Sequence, residues 1–284
     1  MQDLFNKGAD ISDASLDTFK HAVAGNLKSR FAEYSEGRSR TLRLSNIGKP
    51  LRKLWFEIRS GLPPEPLRAE AKFKFLYGDL IEDLAILLAI EAGHTVTDLQ
   101  KEVEIDGVLG HIDCLIDGVL VDVKSCSQRA FPKFKDGSLI SNDPFGYVCQ
   151  LAGYSHALGS IDGAFLAIDK TLGNMCLLKF SKEQLATYNI PKIIAQDRAA
   201  LASDKLPSRL CYEPEPDGKS GNMKLGVNCS YCDYKQHCHP GLRTFIYSSG
   251  PRYLTKVSRL PDVPEARTSN ATEIAQIHVE PSND

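Results

Sequence analysis

A two-residue turn between two β-rich runs constrains the fold of this chain more than any other feature. The run VLGHIDCLI ends at Ile116, the run VLVDVKSC begins at Val119, and Asp117 and Gly118 separate them. An Asp-Gly pair between such runs is a strong signal for a two-residue β-hairpin, because both residues tolerate the positive φ that the turn requires. The sequence therefore predicts an antiparallel pair of strands in which Ile116 lies opposite Val119.

The register of this hairpin places three charged side chains on one face. Counting outward from the turn, Asp113 lies opposite Asp122, and Lys124 shares their face because side chains alternate along a strand. Two opposed carboxylates destabilise a hairpin unless a positive charge lies between them, and a hard divalent cation such as Mg²⁺ is the simplest partner. The alternative is a solvated sheet face on which Lys124 pairs with both aspartates.

Two predicted helices carry further polar side chains. Apolar residues repeat at helical spacing over 71–92, and this helix contains Glu82. An Asp-Pro pair predicts a second helix over 143–158. It carries Gln150 and Tyr154, which lie four residues apart and therefore on one face. Taken alone, Glu82 is typical of a charge on a helix surface, and Gln150 with Tyr154 is typical of a buried pair that satisfies backbone groups.

Alternating helices and strands predict an α/β or α+β fold, with a mixed β-sheet flanked by helices. Helices are expected over 12–30 and 45–59, and the runs VEID, VLGHIDCLI and VLVDVKSC are interpreted as a β-meander. GAFLAID and MCLLKFS form a second predicted hairpin. A capping box at Ser181 begins a further helix toward Leu201, with a kink or break at Pro191.

Composition divides the chain into segments and excludes some classes of protein. With 42% hydrophobic residues and a net charge of −2, the chain is neither disordered throughout nor a polycation. It has no apolar run long enough for a membrane span and no signal-peptide pattern, so a cytoplasmic location is expected. The expected segments are a helical and basic segment (1–44), a core (45–204), a cysteine-rich metal module (205–240), an extension (241–260) and a disordered tail (261–284).

The motifs together resemble the PD-(D/E)XK nuclease superfamily. The resemblance rests on Glu82, on Gly-His-Ile-Asp ending at Asp113, on Asp-Val-Lys ending at Lys124, and on the Gln-x-x-x-Tyr element from Gln150 to Tyr154. That last element points to the RecB-like exonuclease branch, and the likeness covers about residues 45–180. Ile112 stands where the proline that names the superfamily is found.

The resemblance implies a restriction-endonuclease-like core and a Mg²⁺- or Mn²⁺-dependent exonuclease that hydrolyses phosphodiester bonds in DNA. It implies metal ligation by Asp113, Asp122, the Val123 carbonyl and Glu82. Lys124 would act as a base or as a clamp: a nearby cation lowers the pKa of its ammonium, whereas the two carboxylates raise it. The resemblance also implies roles for Gln150 and Tyr154 at the catalytic site.

Four cysteines form a second candidate site. Cys211, Cys229, Cys232 and Cys238 are spaced C-x17-C-x2-C-x5-C in a segment rich in Pro and Gly, which is a strong metal-site signal. The spacing resembles that of iron–sulfur RecB-like nucleases, including the CRISPR-adaptation nucleases, whose first cysteine lies far upstream. The corresponding run SNIGKPLRKLW contains no cysteine, so the fourth ligand is Cys211, His237 or His239, and the metal is Zn²⁺ or a [4Fe–4S] cluster.

Basic residues near the motifs are candidate DNA contacts. Residues 20–60 carry ten Lys and Arg against three Asp and Glu, and residues 128–135 form a second basic and aromatic segment. Trp55 and Phe56 could stack on a DNA end, or Trp55 could belong to the core. The residues expected to contact DNA are Arg52, Lys53, Arg129, Lys133 and Lys135.

Similar sequences look like phage exonucleases, so we expect a role in DNA recombination, repair or degradation in a host cytoplasm. DNA is the expected partner, with a single-strand-annealing or recombination protein as a further one. Two alternatives remain open: an endonuclease or flap nuclease on the same core, and a non-catalytic protein that binds DNA ends as a recombination scaffold.

Overall fold

A computed structural model describes residues 4, 6, 8, 10–36 and 40–266. The chain divides into two compact units: Met1–Lys49 with Ala69–Ala199, and Pro50–Arg68 with Ala200–Asp284. Across the described residues, none of the helices has the length and apolar character that crossing a membrane would need.

The first unit is a mixed sheet with helices on its faces. Its helices are α1 (Asp13–Glu36), α3 (Ala69–Glu91), α4 (Phe131–Lys135), a 3₁₀ turn (Ser138–Ile140), α5 (Tyr147–Ala157), α6 (Lys182–Ala186) and α7 (Ile190–Ala202), the last of which ends in the second unit. Its strands are β1 (Val96–Thr97), β2 (Glu102–Ile105), β3 (Val108–His111), β4 (Cys114–Ile116), β5 (Val119–Cys126), β6 (Gly163–Asp169) and β7 (Met175–Phe180). The mixed, helix-flanked sheet confirms the predicted α/β architecture.

The five-stranded sheet has the order β1-β4-β5-β6-β7. Strands β5 and β6 are parallel, and the other neighbours are antiparallel. The predicted hairpin is confirmed: Ile116 pairs with Val119, and Asp117 and Gly118 have φ values of 50° and 82°. Because β5 is bonded on both sides, its central residues lie in the middle of the sheet, away from any edge.

Alternation along β5 and β6 gives the sheet two apolar faces. One face carries Leu120 and Phe165, which pack in a large core with Leu151 of α5. The opposite face carries Val121 and Leu166, which pack with residues of α3 and β4. The sheet therefore holds α3 and α5 on its two sides, and these are the two helices whose polar residues the sequence singled out.

Several predicted boundaries are wrong. The run VLGHIDCLI is two strands, not one: β3 pairs with β2 in a two-stranded sheet, whereas β4 belongs to the five-stranded sheet. The meander is interrupted at residues 112–113, where the chain passes between the sheets. The helix expected from Pro144 begins at Tyr147, after Gly146 with φ 78°. α4 and the 3₁₀ turn were not predicted, whereas the capping box at Ser181 is present, and Pro191 lies in the first turn of α7.

The second unit contains short helices and an antiparallel sheet. Its helices are α2 (Leu51–Leu54), which continues as a π-helical turn (Trp55–Arg59), α8 (Val227–Ser230) and α9 (Lys235–Cys238). Its strands are β8 (Glu215–Pro216), β9 (Met223–Lys224), β10 (Arg243–Tyr247), β11 (Gly250–Lys256) and β12 (Glu265–Ala266), in the order β12-β10-β11-β9-β8. Strand β12 lies in the segment expected to be disordered, so that expectation is wrong for these two residues. The rest of that tail, residues 267–284, lies outside the described residues.

Candidate active site

Asp113 lies where the chain leaves one sheet for the other. The preceding Ile112 is fully buried and anchors this crossing in the core. The backbone N–H of Val123 donates to Asp113 Oδ2 at 2.7 Å, so the carboxylate takes the place of a strand partner at the end of the β4–β5 ladder. The ladder itself stops at Cys114, one residue before the Asp113–Asp122 pair that the register predicted. The carboxylate is nevertheless held against β5.

Asp122 and Lys124 occupy the middle of β5, on the face toward α5. Asp122 is 1% exposed, and the ammonium of Lys124 contacts its Oδ2 atom. Within the described residues, no donor reaches the other carboxylate oxygen, Oδ1, which is completely buried. A buried carboxylate oxygen with no donor is costly in free energy. It is therefore a position where a cation or a substrate group would be stabilising.

Glu82 of α3 lies close enough to the two aspartates for their charges to affect its ionisation. Burial, followed by the negative charges of Asp113 and Asp122, raises its pKa from 4.5 to about 9. Burial and then Asp122 raise the pKa of Asp113 from 3.8 to about 7. Gln100 donates to Glu82 Oε1 at 2.7 Å. Three carboxyl groups thus share a site in which ionising all of them is unfavourable unless positive charge is added.

Lys124 remains a cation in this environment. Burial disfavours its charged form, but Asp122 and Asp113 outweigh that effect and raise the pKa of the ammonium above its ordinary value. Of the two roles that the sequence left open, the metal-free geometry favours a charged clamp. The sequence analysis missed Tyr147, whose ring lies 5.1 Å from Lys124 Nζ. Its position one helical turn before Gln150 was the signal that could have revealed it.

Gln150 and Tyr154 lie together on α5, as the four-residue spacing predicted. Gln150 Nε2 donates to the Tyr154 hydroxyl at 3.1 Å, and Tyr154 is 2% exposed. Burial raises the pKa of Tyr154 to about 12, so its hydroxyl stays protonated. A Cβ on Gly110 would lie 2.7 Å from Tyr154 Cε1 and 2.8 Å from Leu44 Cβ. The glycine of the Gly-His-Ile-Asp motif therefore makes room for the tyrosine ring.

The site was tested for its fit to a metal ion. Among the residues that the structure describes, no three His, Cys, Asp or Glu side chains are already arranged to hold one. One oxygen of each of three carboxylates is engaged, by Gln100 in Glu82, by Val123 in Asp113 and by Lys124 in Asp122. Mg²⁺ needs only one or two carboxylates beside water and phosphate oxygens. The chemistry of the donor set therefore fits a hard divalent cation.

The basic segment after β5 lies on α4 and the turn before it. Phe131 and Phe134 are buried and anchor this short helix in the core. Arg129 and Lys135 are exposed, and Lys133 Nζ donates to the Asn142 carbonyl at 3.2 Å. Two of the three candidate DNA contacts in this segment therefore present their charge to solvent.

The four cysteines of the second unit lie near one another. Cys211 accepts a hydrogen bond from the Cys229 thiol, which lowers the pKa of Cys211, and Arg52 and Lys53 lower it further. Cys232 and Cys238 also interact electrostatically with Cys229. Yet in the described part of the chain no three cysteines, with or without histidine, are arranged as a metal site. The structure thus brings the predicted ligands together without the coordination that a metal would impose.

Two expected DNA contacts belong to this cysteine cluster. Arg52 donates from Nε to Cys238 Sγ at 3.2 Å and from Nη1 to the Pro207 carbonyl at 2.5 Å. Lys53 lies 3.9 Å from Glu57 and interacts with Cys211. Phe56 is 4% exposed and stacks on Tyr234 with ring centroids 5.7 Å apart. These side chains make contacts within their own unit.

Known proteins were compared with the chain. No protein-family model matches it, and no curated protein matches it. An alkaline exonuclease from Laribacter hongkongensis has a similar structure, with a TM-score of 0.42 and 16% identity over 60% of this chain and 94% of that chain. A phage related exonuclease from Haemophilus somnus 129PT has a TM-score of 0.40 and 13% identity over 57% of this chain and 93% of that chain. These structural neighbours are exonucleases.

Proposed function

We propose that this protein is a divalent-metal-dependent DNA exonuclease, and that its active site is the cluster of Glu82, Asp113, Asp122 and Lys124. The observation that carries the proposal is that the carboxyl groups of this cluster are costly to ionise without a cation. Burial and mutual repulsion raise the pKa of two of its carboxyl groups, and one oxygen of Asp122 has no donor among the described residues. A structural ion pair would not retain this excess of carboxylates, because unpaired buried charge lowers stability.

Asp113, Asp122, the Val123 carbonyl and Glu82 would hold the ion. When bound, a divalent ion lowers the pKa of water and neutralises charge that develops on a phosphate during hydrolysis. Lys124 stays positively charged and can hold a phosphate oxygen in position. Gln150 supplies amide groups and Tyr154 a protonated hydroxyl beside the same face of β5, where both can bond to phosphate oxygens.

DNA is proposed as the substrate because exposed basic residues follow the site in the chain. The carboxylates alone would repel a phosphate backbone, so a substrate of this kind needs positive charge nearby. Arg129 and Lys135 are exposed on the segment that directly follows β5, and positive charge there attracts the phosphate backbone toward the site. The proposal of an exonuclease, in preference to an endonuclease, rests on the resemblance of the Gln-x-x-x-Tyr element, from Gln150 to Tyr154, to the RecB-like exonuclease branch. The pathway is proposed to be DNA recombination, repair or degradation, with a single-strand-annealing or recombination protein as a partner.

A structural metal in the second unit is a further part of this proposal. The four sulfurs lie close together, and the hydrogen bond from Cys229, with Arg52 and Lys53 nearby, lowers the pKa of Cys211 toward the thiolate form that Zn²⁺ and iron–sulfur clusters bind. Cys211, Cys229, Cys232 and Cys238 would hold this metal. Its role would be to stabilise a unit whose strands are mostly short.

The test is the digestion of end-labelled linear DNA and closed circular DNA in parallel, with Mg²⁺, Mn²⁺ or EDTA. The wild type should degrade only linear DNA, and only with metal. Asp122→Ala should lose cleavage while its affinity for DNA stays within a few-fold of wild type, and Asp262→Ala, at an exposed aspartate of the second unit, should behave as wild type. Cleavage of the circle would identify an endonuclease. Absence of cleavage by the wild type, or full activity of Asp122→Ala, would refute the proposed site.

A further inference from the structure

Tyr147 stands beside the active-site lysine without belonging to the motifs that define the site. Its ring centroid is 5.1 Å from Lys124 Nζ. An ammonium at this distance over an aromatic face is attracted by the negative face of the ring, and the attraction is stronger where water is excluded. Lys124 has a side chain that is only 19% exposed, so this condition is met.

The ring of Tyr147 is itself held in place. It has two aromatic neighbours: Phe165 of β6, with ring centroids 6.5 Å apart, and Phe145 of the preceding loop, with centroids 5.5 Å apart. Phe165 is 1% exposed and belongs to the main core. The loop before Tyr147 is fixed by Asp143, which accepts backbone hydrogen bonds from Gly146 at 3.0 Å and from Val148 at 2.8 Å. The ring of Tyr147 is therefore held by its neighbours, and it faces the flexible side chain of Lys124.

Lys124 needs such a surface. Its four-carbon stem has several rotatable bonds, and two different carboxylates, Asp122 and Asp113, attract the ammonium. The contact that the structure shows is with Asp122. Attraction by carboxylates alone does not select one rotamer, whereas a ring face in contact with the ammonium adds a second attraction that favours one position.

We propose that Tyr147 is a positioning residue whose ring face fixes the Lys124 ammonium beside Asp122, at the point where it meets the substrate phosphate. The part of this inference that concerns catalysis rests on the proposed nuclease function. The contact itself does not. A role for the hydroxyl is the alternative, and Tyr147→Phe separates the two because it keeps the ring and removes only the oxygen.

The contact is tested first without any reference to activity. Thermal melts are compared for wild type, Tyr147→Leu, Lys124→Met and the double variant. If ring and ammonium interact, the loss of Tm in the double variant is smaller than the sum of the two single losses by a few °C. Tyr147→Phe keeps the ring, so this variant alone should have a Tm close to wild type. When it is combined with Lys124→Met, the two losses should be additive, because Tyr147→Phe has not removed the contact between ring and ammonium. Additive losses in the leucine cycle would overturn the proposal.

Kinetics on linear DNA then test the positioning role. Tyr147→Leu should lower kcat by about 10-fold or more with KM changed less than about 3-fold, and Tyr147→Phe should recover most of kcat. Tyr77→Leu is the matched control, because Tyr77 is 48% exposed on α3 and its ring packs on Phe73. An unchanged kcat in Tyr147→Leu, or an equal loss in Tyr147→Phe, would overturn the inference. A wild type that does not cleave DNA would refute the proposed function, and the thermal cycle would still decide whether the contact exists.

Discussion

Glu82→Gln should change how the stability of the metal-free protein depends on pH. The folded-state pKa of Glu82 is raised from 4.5 to about 9, so between these values the folded chain binds a proton that the unfolded chain has released. The stability of the wild type therefore falls as the pH rises through this window. Glutamine cannot titrate, and its side-chain oxygen can still accept the hydrogen bond from Gln100. The variant should lack this part of the pH dependence.

The size of the effect follows from the pKa values. A tenfold change in proton affinity corresponds to ~1.4 kcal/mol, so three pH units, from 6 to 9, correspond to at most ~4 kcal/mol. Solvent reaches part of the Glu82 side chain and screens its charge, so we expect about half of this, ~2 kcal/mol. For a chain of this length that equals a change in Tm of ~4–8 °C. The Tm of the variant minus that of the wild type should grow by this amount between pH 6 and pH 9.

The assay is thermal unfolding in EDTA at several pH values, with Glu91→Gln as the matched control. Glu91 is the last residue of the same helix, and hydrogen bonds from Ser15 and Ser12 lower its pKa instead of raising it. The control should therefore show no gain over wild type at pH 9. If the Tm values of Glu82→Gln and wild type differ by the same amount at every pH from 6 to 9, then ionising Glu82 has no cost in free energy. The proposed cation site would then lose its main support.

Three further predictions concern other positions. Gly110→Ala should lower Tm by a few °C and reduce kcat, because the added methyl must displace Tyr154; unchanged melting and kinetics would show that the ring moves freely. Asp197 is 3% exposed, and burial raises its pKa to about 7, so the stability of the wild type falls as the pH rises from 4 to 7. In urea unfolding, the free energy of unfolding of Asp197→Asn minus that of the wild type should therefore be ~2 kcal/mol larger at pH 8 than at pH 4. Cys229→Ala should lose bound metal in elemental analysis and melt at lower temperature, whereas Cys176→Ala should retain its metal; equal metal contents would contradict the cysteine site.

Local chemistry made the hairpin predictable from sequence. Asp117 and Gly118 both adopt positive φ, and this turn fixes the register that puts Ile116 opposite Val119. The approach of Asp122 and Lys124 then follows from strand alternation alone. Such features depend on residues close in the chain, and for this reason a single sequence is enough to predict them.

The break between β3 and β4 was not predictable in the same way. The run from Val108 to Ile116 has the composition of one strand, and only pairing with β2 on one side and β5 on the other divides it. Likewise, the Asp143 carboxylate does accept backbone hydrogen bonds at the start of α5, but the positive φ of Gly146 delays the helix to Tyr147. Tertiary partners decided these boundaries, and they also decided which ring lies over Lys124.

Tertiary contacts also decide which basic residues are available to bind DNA, and the sequence alone does not reveal them. Arg52 and Lys53 have the composition expected of DNA contacts, yet they lie beside the cysteines of their own unit, whereas Arg129 and Lys135 are exposed close in sequence to the carboxylate cluster. A basic run in a sequence does not indicate whether its charges are paired within the protein or are available to a ligand. In the second unit the basic side chains contact cysteine sulfurs and Glu57, and in the first unit Arg129 and Lys135 are exposed, where a phosphate backbone could be attracted.

The proposed nuclease and the alternative, a DNA-binding scaffold, differ in whether buried carboxyl groups would be of use to them. A protein that only holds DNA gains nothing from three buried carboxylates, because they repel the backbone and lower its own stability. Lys124 offsets one negative charge, and burial and mutual repulsion raise the pKa values of Glu82 and Asp113, so ionising these two carboxyl groups has a cost. A divalent cation would both restore the balance and reverse the repulsion of phosphate. Such an arrangement is unfavourable without a cation and favourable once a cation and a phosphate are bound, which is what the proposed phosphodiester hydrolysis requires, whereas a scaffold would have no reason to keep it.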